Sequence, residues 1–218
     1  MTSRRSVLAA GAGLAVNLGW LGDLLAADRI ASGVRSLNGD VAVNGVAVTQ
    51  GMPVRAGDSV VTGPNGDVVF VVGRDAFLIR PESSVELLRR GSSPLLSGLR
   101  ILSGRILSVF SPGPRRVLES PTATLGIRGT AVYIEAEPAR TYVCTCYGTV
   151  DIVSRDDPAS RERVRTRHHD KPRYVMAAGA PQMIMGAPVV NHTDAELILL
   201  EGLVGRKPPF GTEPSYRY

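Results

Sequence analysis

Only two cysteines occur in 218 residues, and they stand one residue apart, so no disulfide framework can staple distant parts of this chain. Aromatic residues are scarce as well, at 5%, against a hydrophobic content of 44%. A core is therefore affordable, but Val, Leu and Ile must build most of it. Long apolar runs are missing too: the first apolar stretch is rich in Ala and Gly and is broken by Asn17, which makes it a poor membrane span. The sequence shows no nucleophile elbow, no phosphate-cradling loop ahead of a helix and no histidine pair at helical spacing. Glu82, Glu86 and Glu119 are scattered, as solvated carboxylates usually are.

What is present begins with an address. "MTSRRSVLAAGAGLAVNLGWLGDLLA" has a short basic start, an apolar stretch and small residues at its end, the three-part layout of an export signal. Arg4 and Arg5 followed by Val7 and Leu8 resemble the twin-arginine type. Residues 1–27 are thus expected to be a leader cleaved near Ala26 or Ala27, placing the mature protein in the periplasm or outside the cell. The formal charge is +5 and falls to +4 without Arg4, Arg5 and Asp23. The basic excess is spread out except in "RERVRTRHHDKPR", Arg161 to Arg173, which can bind phosphates or an anionic surface but more often forms a solvated hairpin. Export argues against a nucleic-acid partner, and membrane contact is expected only if the leader stays uncleaved.

From Gly39 to Val153 the pattern is β throughout. "DVAVNGVAV" alternates around Asn44-Gly45, a dipeptide suited to two-residue hairpins because both positions tolerate positive φ. Turn signals at Gly57-Asp58 and Pro64-Asn65-Gly66 separate Val-rich runs, and "DAFLIRPESSVELL" and "LRILSGRILSVF" keep the rhythm. Short strands at such spacing predict an all-β fold: a sandwich, a barrel or a β-solenoid.

These residues carry a family resemblance. "GDVAVNGVAVTQGMPVRAGDSVVTGPNGDVVFVV", with its strand pair around Asn-Gly, resembles the opening of the FecR domain. "GIRGT", Gly126 to Thr130, and the closing "YGTVDI" are similar to its later parts. The resemblance spans residues 36–153 and implies an all-β extracytoplasmic domain that transmits signals or binds rather than catalyses. Full-length regulators of that family place an anti-sigma region and a membrane span before this domain, whereas here only the leader precedes it. The expectation is a retained β-domain that binds a protein or a small-molecule ligand outside the cytoplasm.

Two features outside the strand pattern bear on function. Gly126 and Gly129 flank Ile127-Arg128, which predicts a sharp corner at which Arg128 either braces neighbouring carbonyls or contacts a partner. In the extension, residues 154–218, a polar stretch predicts a loop or hairpin, and "HTDAELILLEGLVG" predicts a helix near 193–204. There Thr193 and Glu196 form a capping box and Gly205 ends the helix.

The cysteine segment "TYVCTCYGTVDI" reads as a strand, so Cys144 and Cys146 point to one face. Three readings stay open. A disulfide across so short a span would be strained and reducible; two buried thiols would simply pack; and same-face thiolates could hold a metal with His168 or His169 of "RHHD". His192 is the remaining histidine. Zinc, or another soft transition metal, suits such donors. The expected function is a non-enzymatic binding or sensing module, with a periplasmic redox or metal-dependent enzyme centred on Cys144 and Cys146, or a structural scaffold, as the alternatives.

Overall fold

A computed structural model describes residues 32–211; the expected leader, residues 1–27, lies outside the described residues. Among them are fifteen strands and one helix. The Asn44-Gly45 turn forms as the sequence predicts: φ is 53° at Asn44 and 78° at Gly45, joining β2 (Val41–Val43) to β3 (Val46–Ala47).

The strands make two sheets that share two long members, β8 (Leu96–Val109) and β12 (Arg140–Ser154). In the first sheet, β1 (Gly33–Asn38) pairs with β5 (Asp67–Val72), β5 with β6 (Asp75–Ile79), and β6 with the second half of β8. The sheet continues through β11 (Ala131–Ala136), the first half of β12, β14 (Arg173–Met176) and β15 (Ile184–Gly186). In the second, β3 and β2 lead through β4 (Ser59–Thr62) and β7 (Ser84–Arg89) to the first half of β8. Beyond it lie β9 (Arg116–Glu119), β10 (Ala123–Ile127), the second half of β12 and β13 (Arg161–Thr166). All pairings are antiparallel except β8 with β9.

Each shared strand changes sheet at a glycine. Gly104 (φ 90°) marks the change in β8 and Gly148 (φ 97°) the change in β12. Only glycine adopts such φ values without strain, and a side chain there would strike Ser83 or Thr130 respectively.

Alternation along the first sheet fills two cores. Val68 and Phe70 of β5, Ile106 of β8 and Ile134 of β11 join Val60, Val85, Leu99 and Val150 between the sheets. Their neighbours Val69, Val71, Leu107 and Tyr133 point the other way, into a second cluster that contains both cysteines. The first sheet is therefore buried on both faces, which explains the unbroken apolar run in β5. Its outer face is covered by α1 (Asp194–Leu203), whose Leu197 and Leu200 are buried completely. The capping box forms as predicted: the Thr193 hydroxyl accepts from the Glu196 backbone, and the Glu196 carboxylate accepts from the Thr193 backbone. The fold is thus mainly β, two sheets with one short C-terminal helix.

Candidate metal centre

Register delivers the sulfurs to one place. Cys144 faces Tyr133 across the β11–β12 ladder, and the register then slips so that Cys146 is the extra residue of a bulge opposite Ala131 and Val132. Both thiols are free, buried, and on the outer face of the first sheet, beneath the C-terminal segment.

Two histidines arrive from different segments. His169 lies past the end of β13 with φ 53°, anchored by its backbone N–H donating to the Cys146 carbonyl at 3.0 Å. Its Nδ1 stands 3.5 Å from Cys144 Sγ. His192 precedes α1 and stacks on the Tyr133 ring at 4.6 Å. Its Nε2 stands 3.0 Å from His169 Nδ1. One donor atom from each of Cys144, Cys146, His169 and His192 falls within 4.8 Å of the others, and all four residues are buried. Tetrahedral zinc at ordinary bond lengths would separate two nitrogens by roughly 3.4 Å and a sulfur from a nitrogen by roughly 3.6 Å. The cluster already sits near those values.

The remaining ring nitrogens decide where the lone pairs point. His192 Nδ1 is 2.7 Å from the Val190 carbonyl, which can only accept, so Nδ1 carries the proton. His169 Nε2 lies 3.2 Å from Asp194 Oδ1, and donation to that carboxylate puts its proton on Nε2. A neutral His169 and a neutral His192 then turn lone pairs toward each other across 3.0 Å. Two lone pairs at that distance repel unless a cation, a proton or a metal ion, lies between them. An imidazole whose far nitrogen donates to a carboxylate or a carbonyl is the usual arrangement of a metal-ligating histidine.

Electrostatics distinguish the two thiols. Burial pushes Cys144 up, but the hydrogen bond from Cys146 and the neighbouring imidazoles outweigh it and leave the thiol well below its ordinary value. Burial raises Cys146, and the neighbouring Cys144 sulfur raises it further. The pair therefore favours losing its first proton from Cys144, and metal binding releases the protons that remain on the sulfurs.

The residues singled out from sequence divide. Cys144, Cys146 and His169 converge. His168 does not join them: its Nε2 lies 2.7 Å from Asp194 Oδ1 and its ring stacks on Phe210 at 4.2 Å. Asp194 thus receives both imidazoles, and its place in the first turn of α1 favours its negative charge. His192, noted in the sequence only as the remaining histidine, takes the place expected of His168, and Asp194 was not singled out, because nothing in the sequence says that the tail returns to the cysteine strand. Arg128 is exposed on the corner between β10 and β11, where its carbonyl accepts from the Thr130 hydroxyl at 3.1 Å.

Nearby, Glu201 of α1 is buried and accepts a hydrogen bond from Tyr147 and a salt bridge from Arg206 at 2.5 Å. Burial, and then the Glu201 charge, push the Tyr147 phenol far above its ordinary value, so it stays protonated and donates.

Fold and site together define a class: an all-β domain of two sheets sharing strands, with a buried Cys2His2 cluster under a C-terminal helix. Comparison with known proteins adds the fold and no more. No family model matches the chain, and no curated protein matches it. A crystal structure described as a "putative anti-sigma factor" from Parabacteroides distasonis superposes with a TM-score of 0.50 at 11% identity. That match covers 66% of this chain and 65% of the other, so this chain spans just under two thirds of its neighbour's length. A second structure of the same description gives 0.49, again at 11% identity, over 66% of this chain and 64% of that one.

Proposed function

We propose that this protein is a non-enzymatic binding and sensing module that works outside the cytoplasm and holds a soft metal ion, zinc foremost, at Cys144, Cys146, His169 and His192. The observation that carries the reading is the pair of histidine nitrogens turned toward one another at 3.0 Å beside two buried sulfurs. Four protein donors complete a tetrahedral shell and leave no position for a substrate, which favours a structural or sensing site over a catalytic one. The leader-like N-terminus supports the location, and the likeness to an anti-sigma-type structure supports a regulatory role.

The ligand set also supplies a mode of action. Two ligands come from β12, one from the turn after β13 and one from the entrance to α1, so an ion ties the C-terminal segment to the outer face of the first sheet. Losing the ion loosens that segment before the sheets, because its folding is linked to ligation. Elemental analysis of the purified mature protein, with a thiol count, tests the site: one metal per chain and two titratable thiols after chelation are expected. Hydrogen exchange should then quicken in residues 187–204 but not in β5. A chain that takes up no stoichiometric zinc or copper, alone or in competition with a chelator, sinks the reading. N-terminal sequencing of the exported protein, returning a start near residue 27 or 28, tests the location.

A further inference from the structure

A second feature stands apart from the cysteine cluster. A cleft of about 490 Å3 opens between the Gly129 corner, the β12–β13 hairpin and the segment that follows α1. That volume lies in the range of small-molecule sites. Its walls carry Arg128, Arg165, Arg167, Arg206 and Lys207 against a single acid, Glu201.

That acid is already committed. Glu201 is buried and engaged by Arg206 and Tyr147. Arg206 in turn donates Nη1 to the Arg74 carbonyl at 2.5 Å, which fixes its guanidinium, while its Nη2 is buried with no hydrogen-bond partner. None of Arg128, Arg165, Arg167 and Lys207 forms an ion pair among the described residues.

The hairpin register shows why the charge gathers here. Arg163, Arg165 and Arg167 alternate with buried Val164 and Thr166, so all three share the exposed face. Asp151 stands opposite Arg163 and pairs with it at 2.5 Å, but the residue opposite Arg165 is neutral Thr149. The neutralising partner stops where the cleft begins. Phe110, Pro112 and Pro209 add apolar wall, and Gly129 and Gly148 leave bare backbone along the cleft.

We propose that this cleft binds a small organic oxyanion, a phosphate or carboxylate ester or acid with an apolar body. Guanidinium groups lining one cleft suit an oxyanion, and mutual repulsion among unneutralised cations is relieved when it binds. The basic run from Arg161 to Arg173 thereby acquires a use beyond solvation. This inference does not depend on metal at the cysteine cluster.

The test uses the full mature chain and three probes: inorganic phosphate, phenyl phosphate and citrate, followed by calorimetry or NMR of the arginine Nε–H signals. Saturable one-to-one binding is expected, weaker at high salt and tighter for phenyl phosphate than for phosphate. The double variant Arg165→Gln/Arg167→Gln should fold normally, since both side chains are exposed, and weaken binding by roughly tenfold or more. Phosphatidylglycerol vesicles, with phosphatidylcholine as control, separate the sources of the anion. Vesicle binding that the double variant abolishes also supports the oxyanion site and assigns it to a lipid headgroup. No saturable binding of any probe, or binding unchanged in the double variant, overturns the proposal.

Discussion

Asp194 holds His169 by its far nitrogen, Oδ1 to Nε2 at 3.2 Å, and so sets which edge of that imidazole faces the sulfurs. The carboxylate is fully buried and takes His168 as well, at 2.7 Å. Replacing it by asparagine keeps the shape and removes the charge. Asp194→Asn should fold but bind zinc about 10–100-fold more weakly in a chelator competition. Unchanged affinity would mean that the lone-pair direction of His169 is set by something else.

Removing a ligand should act differently from removing its support. His192→Gln and Cys144→Ser should each lose stoichiometric metal. At a hundredfold excess over its dissociation constant, metal stabilises the native protein by about 2.7 kcal/mol. The parent should therefore gain melting temperature on adding zinc, and neither variant should. A chelator should lower the parent's melting temperature and leave theirs unmoved.

The ion pair between Glu162 and Arg173 gives a pH signature away from the cluster. Two contacts, 2.6 and 2.8 Å, tie β13 to β14, and the hydrogen bond from Arg173 holds the Glu162 carboxyl below its ordinary value of about 4.5. A depressed carboxylate stabilises the fold above its unfolded value and stops doing so as pH falls through its folded value. Half-exposed pairs of this kind contribute about 0.5–1 kcal/mol. Glu162→Gln should be less stable than the parent by that amount at pH 7, with the difference shrinking as pH falls below about 4.5. Denaturant titration at both pH values measures it.

At Gly148 the prediction is one of backbone strain. With φ at 97° and the Thr130 hydroxyl 2.8 Å from where a Cβ would lie, Gly148→Ala cannot be absorbed by a rotamer change. A loss of about 2 kcal/mol or more is expected in chemical denaturation, as for other strained backbone positions. Gly45→Ala, with nothing within 4 Å, has the strain of its φ of 78° but no clash and should cost less.

How far the sequence could be read varies with the range of the interaction. The Asn44-Gly45 hairpin and the Thr193–Glu196 capping box were readable because both depend on residues within a few positions of each other. The all-β class followed from period-two runs such as "DVVFVV" and their turn signals. Cys144 and Cys146 were placed together because a strand sends alternate residues to one face, although the bulge at Cys146 left no trace in composition. The choice of His192 over His168, and the part of Asp194, were beyond reach: they depend on the tail folding back over Tyr133, a contact between residues almost sixty positions apart. The charge of the cleft was visible as an arginine run, but not which arginines Asp151 would neutralise.

The crossing of β8 and β12 from one sheet to the other has a mechanical side. Each is a continuous covalent rod fixed in both layers, so the layers cannot slide apart or peel open one at a time without bending backbone at Gly104 and Gly148. A tensile load applied to either layer passes into its neighbour through peptide bonds rather than through side-chain friction. The two layers therefore yield together, as a single rupture, and the C-terminal segment laid over the outer face is the part left to come away beforehand.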